Sequence, residues 1–363
     1  MYKYNEIVTA LKTDIQEMSS SAKMPSRQEL CARFQCTRTT VDRAINDLIE
    51  QGYLYARQGS GTYVAETETN KSDITKVWSL IVPDVVYSLY SAMLRGVSDI
   101  AYKNGIAVQI FNNDNDVKKQ NEIIRKLIKQ HTNGFIIVPA VATEPQYEIF
   151  HFLQAQKIPF VFCNRGVEGV TGIPLIRSNN FYGGYMAANY LLQNGYKQPA
   201  YISHLYSRTH IERMEGYIAA ISEHAIELRR EYIIHRCEQN IQNGSKEPYG
   251  YMEMKTLLKL PEPPDSVFCS SEYTLEGVYK AVRDAGLEIS TDIGVISHDN
   301  STICLHQTPL VTAINLDGYE IGHKAACILQ KMMSEDEAPE FNLYVLHPEL
   351  VERQSCLGPR KNS

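Results

Sequence analysis

The chain has 363 residues, 44% of them hydrophobic and 21% charged, ordinary globular proportions with room for two or three domains of roughly 150 residues each. Its net charge of −6 argues against a basic coat for nucleic acid, yet residues 1–65 hold 8 Lys/Arg against 7 Asp/Glu, a balance of +1, leaving −7 for the rest. No apolar run approaches the roughly 20 residues that a membrane span needs. The opening residues contain no signal-peptide-like stretch. The eight cysteines (31, 36, 163, 237, 269, 304, 327, 356) form no C-x-x-C pair and no zinc-like spacing with histidine. A cytoplasmic chain with reduced thiols, no metal and no cofactor is the expectation.

Tyr4 to about Glu17 reads as a helix with Ile7, Val8, Leu11 and Ile15 on one face. A second helix follows Pro25, with Ser26 as N-cap and Glu29 three residues on, the capping-box spacing. Thr37 is expected to cap a third, whose apolar positions Val41, Ala44, Ile45, Leu48 and Ile49 recur at helical spacing until Gly52. Thr39, Arg43 and Asn46 fall on its opposite face, and Arg38 projects from its first turn. Tyr53–Arg57 and Thr62–Ala65 then pair as a hairpin around Gln58-Gly59-Ser60-Gly61. Two short helices and a glycine-centred wing, with arginines at their exposed ends, match a small domain that lays one helix in the major groove.

Residues 66–75 are polar and aperiodic and read as a linker. From Val77 onward, apolar strand-like runs begin near Val77, Ile106, Phe135, Ile158, Pro199, Tyr232, Ser266 and Ile293, with helical patterns between them. Such runs imply parallel strands buried on both faces. Two sets of four predict two α/β lobes, with ligand binding beyond the carboxyl ends of the strands. Trp78, at the start of a strand, reads as packing.

Residues 2–65 resemble the GntR-type winged helix-turn-helix head through Pro25-Ser26-Arg27-Gln28-Glu29-Leu30, Arg38-Thr39-Thr40-Val41-Asp42-Arg43-Ala44 and Arg57-Gln58-Gly59-Ser60-Gly61-Thr62-Tyr63-Val64. Residues 77–357 resemble the effector domain of the LacI/GalR regulators, a relative of periplasmic sugar-binding proteins. The motifs include Leu80-Ile81-Val82-Pro83-Asp84, Phe160-Val161-Phe162-Cys163-Asn164-Arg165, Arg213-Met214-Glu215-Gly216 and Gly294-Val295-Ile296-Ser297-His298-Asp299. The combination looks like the AraR group of sugar-responsive repressors. It implies a winged helix-turn-helix domain (1–66), a linker (67–76) and a doubly wound, two-lobed α/β effector domain (77–357). Lobe 1 would span about 77–175 and 317–337, and lobe 2 about 176–314 and 340–357.

By position in these motifs, Arg27, Arg38, Thr40 and Arg43 would meet operator DNA together with Thr39, and Gln58, Gly59 and Gly61 would lie in the wing. Arginine suits guanine O6 and N7, and threonine hydroxyls suit phosphate. An ion pair between Arg38 and Asp42, at i and i+4, is the alternative for that arginine. Asp42 stands where the family often has Arg. In the body the resemblance points to Leu89 and Tyr90 after the first strand, to Asn164 where Asp is common, and to Arg213. It also points to Ser271 and Glu272 in place of Asn-Asp, and to Asp299. Arg, Asp and Asn beside an aromatic platform fit sugar hydroxyls. An ion pair of Arg213 with Asp299 that only holds the lobe together is the alternative.

The expected function is therefore a DNA-binding regulator, a repressor acting as a homodimer on double-stranded operator DNA and released by a small carbohydrate. The second reading is a cytoplasmic sugar-binding protein without a DNA role. An enzyme ranks last: no Gly-rich dinucleotide fingerprint follows the first strand, and there is no G-x-S-x-G elbow.

Overall fold

The computed structural model describes residues 2–18, 21–57, 59–65, 76–142, 147–203, 207–235, 248–334 and 341–359. The expected linker at 66–75 and Gln58 lie outside these. Two compact units result, Met1–Thr75 and Lys76–Ser363.

In the first unit, α1 (Tyr2–Glu17), α2 (Arg27–Phe34) and α3 (Arg38–Glu50) precede a hairpin of β1 (Leu54–Arg57) and β2 (Gly61–Val64). Ile7, Leu11 and Ile15 of α1 meet Leu30 of α2 and Val41, Ala44, Ile45 and Leu48 of α3 in one core. Ser26 forms both halves of the capping box with Glu29. Thr37 occupies the N-cap of α3 but makes no capping bond, because its hydroxyl pairs instead with Thr40 Oγ1 at 2.9 Å. The segment before α2 adds a short edge to the wing through Met24 N–H to Thr62 O (2.9 Å) and Val64 N–H to Ala22 O (2.9 Å).

The second unit continues with β3 (Val77–Val82), α4 (Ser88–Lys103), β4 (Ala107–Asn112), α5 (Val117–Lys129), β5 (Gly134–Ile137), α6 (Glu148–Ala155), β6 (Phe160–Cys163) and β7 (Leu175–Ser178). Then come α7 (Asn180–Gln193), β8 (Pro199–Ser203), α8 (Arg208–Glu223), β9 (Ile233–His235), α9 (Tyr251–Leu257), β10 (Ser266–Cys269), α10 (Leu275–Asp284), β11 (Gly294–His298), α11 (Thr302–His306) and β12 (Thr312–Asn315). The chain closes with α12 (Gly318–Ser334), β13 (Leu343–Leu346) and β14 (Glu349–Val351).

The strands form two sheets of six, ordered β13-β7-β6-β5-β3-β4 and β14-β12-β11-β10-β8-β9. All pairings are parallel except β14 with β12. Alternate residues of β3 enter opposite cores: Trp78, Leu80 and Val82 on one side, Ile81 on the other. β8 does the same with Ala200 and Ile202 against Tyr201. Burial on both faces is why these strands read as unbroken apolar runs.

All eight expected strand starts lie within two residues of a strand. The four the sequence reading missed (β7, β12, β13 and β14) are three or four residues long and sit where the chain passes between sheets. That corrects the lobe boundaries. β13 pairs with β7 in the first sheet, register Leu343 with Leu175, so residues 340–357 divide between the lobes rather than joining the second. β7 likewise belongs wholly to the first sheet, and α12 packs in its core. The chain therefore crosses between lobes three times, after β7, β12 and β13. Periodicity marks a buried strand without saying which of two equivalent sheets receives it.

Candidate nucleic-acid interface and interlobe cleft

On the exposed face of α3, Thr39 and Arg43 are open to solvent and Thr40 is half-buried. The Arg43 guanidinium lies 5.0 Å from the centroid of the Tyr4 ring of α1, a cation–π contact that fixes its direction. Arg38 is 80% exposed, with Nε 3.7 Å from Asp42 Oδ2. Arg27 is more enclosed: Nε donates to Asp42 Oδ1 at 3.2 Å and Nη1 donates to Thr62 Oγ1 on β2. Gly59 (φ 74°) and Gly61 (φ 131°) turn the exposed wing tip through backbone space that side chains resist. Arg57, overlooked as a site residue although it opens the wing motif, lies over the stacked rings of Tyr55 and Tyr63 at 5.5 and 5.2 Å. Arg38, Arg43 and Arg57 thus supply exposed positive charge on a head with little of it to spare.

The body residues singled out from the sequence are all buried, and most converge between the lobes. Asn164 follows β6 and Asp299 follows β11, each in the left-handed region at φ 64° and 75°. Arg213 comes from the second turn of α8 rather than from a strand end. Its Nη2 lies 3.8 Å from Asp299 Oδ1, its Nε donates to Asn180 Oδ1 at 3.0 Å and its Nη1 to the Ser270 carbonyl. His298 Nδ1 lies 3.1 Å from the same Asp299 oxygen. From the other lobe, the Tyr87 hydroxyl donates to Asp299 Oδ2 while its ring stacks on Tyr273 with centroids 5.3 Å apart. Asn164 Nδ2 reaches the Tyr90 hydroxyl at 3.5 Å. The buried atoms Asn164 Oδ1 and Glu272 Oε2 have no hydrogen-bond partner.

Two expected residues do not join this group. Leu89 packs in the lobe 1 core against the start of α12. Ser271 caps the turn after β10, its carbonyl accepting from Thr274 Oγ1 at 3.0 Å. Tyr87, Tyr273, Asn180 and His298 were missed. Two of them had a sequence signal: Tyr87, the N-cap of α4, stands two residues before Leu89, and His298 precedes Asp299 in its motif.

Burial raises the pKa of Asp299, but Arg213, His298 and the Tyr87 hydroxyl outweigh it and hold the carboxyl down to about 2. Glu272 has no such donors: burial and the charge of Asp299 push it up to about 8. His298 is held down to about 4 by burial and by Arg213, so it is neutral and donates through Nδ1–H to Asp299. A second interlobe link lies nearby, where Arg177 of β7 meets both carboxylate oxygens of Glu212 on α8 at 2.8 and 2.9 Å. Among the described residues no three His, Cys, Asp or Glu are grouped to hold a metal ion, and no helix is long and apolar enough to cross a membrane.

A winged head and a two-lobed body with a polar interlobe cleft define a DNA-binding transcription regulator rather than an enzyme. Residues 3–64 match the gntR family of bacterial regulatory proteins and residues 188–356 match a periplasmic binding protein-like domain, so the chain joins a GntR-type helix-turn-helix domain to an effector domain of that second kind. It is 23% identical over 343 residues to the arabinose metabolism transcriptional repressor of Geobacillus stearothermophilus, covering 93% of each chain. The repressor PurR of Actinobacillus pleuropneumoniae is 28% identical over 294 residues, 80% of this chain and 84% of that one. A LacI family regulator from Enterococcus faecium, solved with bound ribose, superimposes with a TM-score of 0.63 at 26% identity, covering 77% of this chain and 98% of the other.

Proposed function

We propose that this regulator is a cytoplasmic repressor that binds operator DNA as a homodimer through α3 and the wing. A small carbohydrate closed between the lobes releases it. Arg38, Thr39, Thr40 and Arg43 read the operator, with Gly59 and Gly61 letting the wing approach the backbone. The effector meets Asn164 and Tyr90 from one lobe and Arg213, Glu272 and Asp299 from the other.

The observation that carries this reading is the spacing of Arg213 and Asp299. At 3.8 Å they stand beyond hydrogen-bond distance, and a hydroxyl both accepts and donates. A sugar hydroxyl can therefore accept from Arg213 and donate to Asp299, while further hydroxyls donate to Glu272 Oε2 and Asn164 Oδ1, both unpartnered and buried. The tyrosines supply apolar ring faces for the sugar. Release then follows from linkage: the sugar weakens operator binding only as far as it prefers the lobe arrangement that misplaces the heads.

A thermal-shift screen of monosaccharides and their phosphates finds the ligand, because binding to the folded state raises stability by mass action. Mobility shifts on the DNA upstream of the chain's own coding sequence then test release. Arg213→Ala is expected to keep DNA binding and lose the sugar response. A protein that takes up a sugar while holding its operator unchanged is a sugar-binding protein without a regulatory switch, and the proposal then fails.

A further inference from the structure

The DNA-facing side of α3 carries a carboxylate among its arginines, and that carboxylate meets two of them. Asp42 Oδ1 accepts from Arg27 Nε at 3.2 Å, and Asp42 Oδ2 lies 3.7 Å from Arg38 Nε. The two arginines end up in different states. Arg27 is 26% exposed and also donates to Thr62 on the wing strand, so α2, α3 and β2 are joined through its guanidinium. Arg38 is 80% exposed, and its Nε stands in ion-pair range of Asp42 at 3.7 Å, short of a hydrogen bond. A planar guanidinium drawn by charge towards a carboxylate on its Nε side keeps its Nη end as a fork, the geometry that pairs with guanine O6 and N7.

We propose that Asp42 is a positioning residue for operator discrimination. It aims the Nη fork of Arg38 at the bases and ties Arg27 to the wing, withholding Arg27 from the phosphate backbone. Its own negative charge repels phosphate, so it also lowers binding to DNA of any sequence. A single exposed ion pair has little effect; here one carboxylate meets two arginines, and one of those also fixes the wing against the reading helix. A head with a balance of only +1 gains little from general attraction and depends on where each arginine points. The proposal rests on the reading of α3 and the wing as the operator-binding face.

The test uses the full-length protein, a duplex that it enriches from a random library, and a scrambled duplex of equal length, titrated by fluorescence anisotropy across a salt series. Asp42→Ala is expected to bind the scrambled duplex more tightly and to steepen the plot of log affinity against log salt by about one, as freed Arg27 takes up a phosphate. The ratio of enriched to scrambled affinity falls about 10-fold or more, the size of one lost bidentate reading. Asp42→Asn, which keeps the shape, gives the same loss, and Asp42→Glu largely restores the ratio. Arg27→Ala leaves the salt slope unchanged.

An unchanged ratio in Asp42→Asn overturns the proposal. So does a parallel fall of both affinities with a lowered melting temperature, or a slope made shallower by about one in Arg27→Ala. If the wild-type protein enriches no sequence, the operator-binding reading itself falls and takes this one with it.

Discussion

The two lobes of the body repeat each other in strand order, apart from an edge strand that is parallel in one (β13) and antiparallel in the other (β14), and differ in the charge they bring to the cleft. β6 and β11 hold the same place in their sheets, and each ends in a non-glycine residue at positive φ, Asn164 in one and Asp299 in the other. Asn and Asp are the side chains that tolerate this backbone best. The repeat extends to the helices: α4 crosses α12 in lobe 1 where α8 crosses α7 in lobe 2. At each crossing the helices meet through glycines, Gly96 with Gly322 and Gly216 with Gly184, where an added Cβ would overlap the facing backbone. Yet around Asp299 lobe 1 offers an amide and tyrosines, its Arg177 pairing instead with Glu212, while lobe 2 offers Arg213, Asp299 and Glu272. The fold sets where the corner is; the side chain decides which lobe bears the cost of a buried charge.

Arg213→Ala strains that contrast most. It leaves Asp299 buried without its cation, a loss of about 3–5 kcal/mol at neutral pH. The matching cut in lobe 1, Asn164→Ala, removes one long hydrogen bond and sets alanine at φ 64°, a cost of about 1–2 kcal/mol. Urea unfolding of both variants reads the difference, and equal losses would mean that lobe 2 holds no special electrostatic burden. The sign with pH follows. Because Asp299 is held at about 2, below its ordinary 3.8, its contribution is present above the ordinary value and fades as pH falls from about 4 towards 2.

Glycine substitution asks whether the lobes are alike where charge plays no part. Gly184→Ala and Gly322→Ala each force a methyl into facing helix backbone, Arg213 in one case and Met93 in the other. Both should lose about 1–3 kcal/mol or somewhat more, and by similar amounts. Calorimetry in which one is tolerated and the other is not would break the equivalence of the two crossings.

The repeat itself was only half legible in the sequence. Strands buried on both faces announce themselves by composition, which is why β3, β5, β8 and β10 are visible as Leu80-Ile81-Val82, Phe135-Ile136-Ile137, Ala200-Tyr201-Ile202 and Val267-Phe268-Cys269. β7 and β14 carry Arg177 and Glu349, which interrupt the apolar run that marks the others. In the cleft, Arg213, Asp299 and Asn164 were readable because their motifs have fixed spacing. Tyr273 and Asn180 were not, since each reaches the site by a turn or a helix start whose direction only the packed lobes determine. In the head, the bonds of Arg27 to Asp42 and Thr62 were not legible, because an exposed arginine and a tied one look alike in sequence. Only the packing of α2 against the wing separates them.

The Tyr87 hydroxyl reaches from lobe 1 to the charged group of lobe 2. Tyr87→Phe keeps the ring on Tyr273 and removes the bond to Asp299. A hydrogen bond to a charged group contributes about 1.5–3 kcal/mol, and Arg213 and His298 remain to hold the carboxylate. The expected loss therefore sits at or below the lower end, a fall in melting temperature of about 2–4 °C. An unchanged melting temperature would mean that the lobes meet without this bond in solution.

A change in pH tests the lobe 2 carboxylate that lacks a cation. Glu272 is pushed from 4.5 up to about 8 by burial and by Asp299. Between those values the folded chain keeps a proton that the unfolded chain has released. Stability therefore falls as pH rises through that window, and the contribution of the protonated group is lost by about pH 8. Glu272→Gln has no proton to lose and mimics the neutral acid in shape. Its melting temperature should match the wild type near pH 4 and exceed it increasingly towards pH 8. Asn164→Ala, in the neutral lobe, should leave the slope of the wild-type curve untouched. Parallel curves for wild type and Glu272→Gln would place the carboxylate in contact with solvent or a cation, and the charge contrast between the lobes would then rest on Asp299 alone.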